Sequence, residues 1–99
     1  MTILALRAEL PGDAKLDDVR SVLSGALRRE TELARARRAY FERMCLGFEK
    51  QHGMSSDEFM RRFESGVLGD EAIYFDWYAA KRGFDLWSHK LQILSGVSV

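Results

Sequence analysis

The side chains that could do chemistry in this sequence are few and widely spaced. Cys45, His52 and His89 are its softest metal donors, but no CxxC, HxxxH or calcium-loop spacing brings them together. A nucleophilic thiol needs a neighbour that lowers its pKa, and nothing local to Cys45 does so; it reads as a small, half-covered residue. The acidic pairs Asp17–Asp18 and Asp70–Glu71 would serve acid–base chemistry only if two carboxyl groups met in one pocket in different environments. Helix capping and dipole complementation account for both pairs. Gly66 and Gly69 are not followed by Gly-Lys-Ser/Thr, so they form no phosphate loop. The expectation is a protein with no catalytic residues, no cofactor and no metal, and therefore not an enzyme.

Two patterns suit binding instead. The segment "RRETELARARR" sets Arg28, Arg29, Arg35, Arg37 and Arg38 along one helix, and arginines so arranged contact phosphates well. Arg28, Arg29, Arg35 and Arg38 are thus candidate nucleic-acid contacts. The plainer account is a solvated face, with Glu30 and Glu32 offsetting the charge by helical pairing. The second pattern is aromatic: in "IYFDWYAAKRGFDLW", Tyr74, Phe75, Trp77 and Tyr78 distribute rings over several faces of one helix. One neighbouring helix cannot cover them all, and Trp and Tyr are preferred anchors of protein interfaces. These four are the candidate partner-binding residues.

The elements that position them follow from periodicity. Residues 1–12, "MTILALRAELPG", include an apolar start and then an alternation that suits a strand arm, ended by Pro11 and Gly12. Over 16–52, Val19, Leu23, Leu27, Ala34, Phe41, Met44 and Phe48 fall on one helical stripe, with a break expected at Ser24–Gly25 because glycine costs about 1 kcal/mol against alanine in a helix. Gly53 suits a left-handed C-cap. Ser55 and Glu58 form a capping box opening a short helix over 55–65 that carries Phe59, Met60 and Phe63. Asp70 is placed to cap the last helix, 70–95. There Ile73, Trp77, Ala80, Phe84, Trp87, Leu91 and Leu94 alternate steps of four and three, as in a helix packed along another.

A chain of 99 residues is expected to be one domain with a small core, one to which a partner or an oligomer would add burial. The 15 basic and 15 acidic residues cancel, so no global field selects nucleic acid or anionic membrane. No apolar run approaches the roughly 20 residues that span a bilayer. Cys45 has no partner for an internal disulfide, and Met1 is not followed by a signal segment; a reducing cytoplasm is the expected setting. The fold class is mainly α: an antiparallel hairpin of two long helices, a short connecting helix and an N-terminal β-strand, in a homodimer.

Between Phe48 and Leu94, the succession of "GMSSDEF", "RFESGVLGD" and "FDWYA" before a closing amphipathic helix resembles the small helical antitoxin-like proteins of prokaryotic TumE-type toxin–antitoxin systems. The resemblance implies a protein that binds and neutralises a separately encoded toxin and contacts its own promoter. It carries no active site. A strand followed by helices is also similar to ribbon-helix-helix repressors, but the helix after the strand is too long here for that fold.

Overall fold

The structure, a computed structural model, describes residues 9–99. The expected N-terminal strand falls mainly on residues 1–8, outside the described residues; Glu9 and Leu10 have no regular structure. Three helices follow: α1 (Leu16–His52), α2 (Ser56–Glu64) and α3 (Ala72–Ser95).

The long helix α1 starts where the Asp18 carboxylate accepts the Lys15 amide N–H at 3.3 Å, with Asp17 beside it at the positive dipole end. It then runs without interruption through Ser24 and Gly25, so the break expected there does not occur. The physical reason is that one glycine penalty is small beside the sum of good helix formers on either side, Ala26, Leu27, Arg28 and Arg29 among them. Gly53 ends the helix at φ 67°, donating its N–H to the Glu49 carbonyl at 2.8 Å.

Ser55 opens α2 by accepting the Glu58 N–H at 3.1 Å. The return half of the expected capping box is replaced, because the Glu58 carboxylate turns outward to Arg61 and Arg62. Gly66, at φ 79°, turns the chain out of α2. At α3 the expected cap is corrected by one residue: Glu71 occupies the N-cap position and makes no side-chain cap, leaving Asp70 outside the helix.

The two long helices pack antiparallel. Arg38 meets Ser88, Phe41 meets Gly83, Phe48 meets Trp77 and His52 meets Tyr74, one sequence rising as the other falls. Every member of the Ile73–Leu94 seam is buried or half-buried, whereas Phe75, Asp76, Ala79, Leu86 and Ile93 between them are exposed. At Gly83 the helices touch most closely, since a Cβ there would sit 2.7 Å from the Phe41 ring.

At the closed end of the hairpin, α2 seals the gap. At the other end α1, with 37 residues against 24 in α3, projects past its neighbour. The radius of gyration is 19.6 Å, against about 13 Å for a compact chain of this length.

Candidate functional site

The aromatic residues condense into a slab at the closed end. Its floor is Trp77, fully buried, with the Phe59 ring stacked on it at 4.1 Å and 7°. Phe48 from α1 stacks at 5.7 Å, and His52 at 5.2 Å. The indole N–H of Trp77 donates to Ser56 Oγ at 2.9 Å, which fixes the ring from α2 and satisfies its one polar atom. Trp77 is therefore corrected from candidate partner contact to core: placed on the seam, it has no surface left to offer.

The slab continues outward through Phe63, which stacks on Tyr78 at 5.0 Å and meets Phe75 edge-on at 5.5 Å. Tyr74 and Tyr78 are half-buried, and Phe75 is 54% exposed. Nearby, the Arg82 guanidinium lies 6.0 Å from the Tyr78 ring centre. Of the four aromatic candidates, Tyr74, Phe75 and Tyr78 thus share one rim, backed by rings that are already locked. Phe63 belongs with them, although the sequence marked it only as an apolar residue of the short helix.

A cleft of about 290 Å³ opens beside the slab, lined by Arg38, Cys45, Glu49, Ser56, Asp57 and Lys81 among others. Its charged groups hold the three helices together. Lys81 reaches Asp85 at 2.6 Å on its own helix and Asp57 at 3.1 Å on α2. Burial alone would lower the Lys81 pKa, but the hydrogen bonds to Asp85 and Asp57 outweigh it and the net shift is upward. Its ammonium is thus held charged. The Glu49 carboxylate accepts the Ser56 amide N–H at 2.9 Å, tying α1 to the first turn of α2.

Burial also pushes the Cys45 thiol pKa up, with only partial relief from its hydrogen bond to Ser56. That holds the sulfur as the protonated thiol, the form unsuited to nucleophilic attack. Among the described residues, no group of three His, Cys, Asp or Glu side chains is placed to hold a metal ion. His89 is exposed, and His52 is committed to the aromatic stack.

The arginine series divides in two. Arg38 donates from Nε to Ser88 Oγ at 2.9 Å, pairs with Glu42 at 3.3 Å and lies 4.9 Å from the Phe84 ring, so it fastens α1 to α3. These contacts engage Arg38, a candidate nucleic-acid contact, at the α1–α3 seam, with its side chain 39% exposed. Arg37 covers Trp87 at 5.1 Å. Arg28, Arg29 and Arg35 remain exposed. Sequence alone could not separate these because the Ser88 and Phe84 partners of Arg38 are fixed only by the register of α1 against α3.

Among the described residues no helix is long and apolar enough to cross a membrane. No family model, no characterised protein and no solved structure matches the chain.

Proposed function

We propose that this chain is a non-enzymatic, antitoxin-like interaction module that binds and neutralises a protein toxin through the outer rim of the aromatic slab. The observation that carries the reading is Phe75, exposed yet braced edge-on by Phe63, next to Tyr78 and within reach of Tyr74. Rings held in place before binding lose little conformational freedom on docking, and aromatic anchors of this kind dominate interface energies. Val67, 70% exposed in the turn after α2, adds apolar surface at the same end of the molecule. The resemblance of "GMSSDEF", "RFESGVLGD" and "FDWYA" to TumE-type antitoxins supplies the class of partner. The test is co-expression with the product of the adjacent reading frame. A stable complex that survives purification, and that Phe75→Asp dissolves without loss of helicity, is expected. Intact binding by the variant would remove the rim from the account.

A second reading keeps the exposed Arg28, Arg29 and Arg35 as contacts to promoter DNA. Its signature is a gel shift on the upstream DNA that weakens steeply with salt and is lost in Arg28→Glu with Arg35→Glu.

A further inference from the structure

The middle of α1 carries a second stripe, which α3 does not cover. Arg29, Leu33, Ala36, Tyr40, Arg43 and Gly47 alternate steps of four and three, so they share one face of the helix, and all six are exposed. Tyr40 is 53% exposed, with the Phe41 ring edge-on to it at 5.2 Å. Arg37, three residues before Tyr40, borders the stripe on the side of α3. Its guanidinium lies 5.1 Å from the centre of the half-buried Trp87 ring, and the Lys90 ammonium of α3 reaches the same ring at 4.6 Å. Two cations from different helices thus converge on one indole. Among the described residues, Arg29, Arg37, Arg43 and Lys90 form no ion pair. The hairpin's carboxylates are engaged around the cleft instead: Glu42 by Arg38, Asp57 and Asp85 by Lys81, and Glu49 by the start of α2. A chain with no net charge therefore has a basic face whose charge is not offset by pairing.

We propose that this face binds single-stranded RNA, with Tyr40 stacking an unpaired base and Arg29, Arg37, Arg43 and Lys90 holding the phosphates around it. Arg29 and Arg43 are about 21 Å apart along α1, so the cations follow a line, as the backbone of a strand does. Cations without carboxylate partners suit a polyanion, and an exposed ring between them suits bases that are not already stacked in a duplex. RNA offers such bases in its loops, bulges and ends. A second copy of this chain does not fit: laid antiparallel about Ala36 it would set Arg29 against Arg43 twice, and laid parallel it would set each arginine against its own counterpart. Arg29 apart, the contacts differ from those of the promoter-DNA reading. Arg28 and Arg35 lie on the other flank of α1, where Glu32, four residues from one and three from the other, offsets them. Phe75 takes no part, so the proposal stands or falls independently of the toxin-binding reading.

The experiment is fluorescence anisotropy of labelled oligouridylate titrated with the full chain over a range of salt concentrations. Saturable binding is expected, its logarithm falling with that of salt at a slope of about −3, as four phosphate contacts on a single strand give. Arg29→Glu with Arg43→Glu weakens binding by about tenfold or more and flattens the slope. Arg28→Glu with Arg35→Glu makes the same change of net charge on the other flank and has a much smaller effect at physiological salt, where exposed charges are screened over about 8 Å. Tyr40→Ala weakens binding about fivefold or more and leaves the slope unchanged, because it removes stacking and no charge. All five substituted side chains are exposed, so helicity by circular dichroism is expected to be unchanged in each variant. Absence of saturable binding overturns the proposal, as does an equal loss in the two double variants. Binding that Tyr40→Ala leaves intact, or duplex DNA bound as tightly as oligouridylate, overturns the stacked single strand. Displacement of the RNA by an equal concentration of a polyglutamate peptide overturns it in favour of an acidic protein segment.

Discussion

Gly83 sits in the middle of α3, where glycine costs helix stability, and the Phe41 ring occupies the space its side chain would need. Gly83→Ala is expected to destabilise the fold by about 1–3 kcal/mol despite the better helix propensity, because overpacking against a ring of a neighbouring helix outweighs it. Urea unfolding at fixed protein concentration measures the change, and Phe41→Leu in the same chain should recover part of it. At the slab, Phe59→Ala removes the ring stacked on Trp77 and should cost about 3–5 kcal/mol by the same measurement. Glu58 gives a pH prediction. Its hydrogen bonds to Arg61, and then to Arg62, hold its pKa below the usual carboxylate value, so the folded state binds the proton more weakly than the unfolded chain. The contribution is present above the ordinary glutamate pKa and is lost as pH falls through the lowered one. In acid titrations followed by circular dichroism, Glu58→Gln should flatten that part of the stability profile.

At the scale of elements, Gly25 is the informative position. Since α1 continues through it and an added Cβ would meet only the flexible end of Arg29 at 3.4 Å, Gly25→Ala is expected to stabilise the protein by up to about 1 kcal/mol. A helix interrupted at that point would instead lose stability. The seam from Ile73 to Leu94 was legible in the sequence because its four-and-three spacing admits one buried face, and each of its members is covered. Gly53 and Ser55 were legible for a related reason: a left-handed turn and an exposed amide each favour few residue types. The continuity at Ser24–Gly25 was not, since a local penalty does not reveal whether its neighbours outweigh it. Nor were the ties of Lys81 to Asp57 and of Glu49 to Ser56, which exist only after α2 has folded against both long helices. Of the candidate site, the aromatic segment and the place of Trp77 on the buried seam were visible, but the stacking of Phe59 on Trp77 and the bracing of Phe75 by Phe63 exist only once α2 has folded against α3.

Residues 9–99 form a rod, 62 Å along its longest axis, with its aromatic weight at one end and the projecting start of α1 at the other. Within the described residues the fully buried large side chains are Trp77 and Phe59, both at the closed end. Stability is therefore concentrated there, and hydrogen exchange should find the slowest amides near Phe48, Phe59 and Trp77 and the fastest helical ones in the projecting start of α1. This polarity sets the braced ring surface of Phe75, Phe63 and Tyr78 at one end and the projecting start of α1 at the other. The most direct test of the interaction-module account is growth of cells expressing the adjacent reading frame, alone and together with this chain. The account predicts arrest by the neighbour alone, relief on co-expression, and renewed arrest when Phe75 is changed to Asp in a chain that remains folded. Relief that persists with Phe75→Asp, or a neighbour whose effect this chain does not alter, would contradict it.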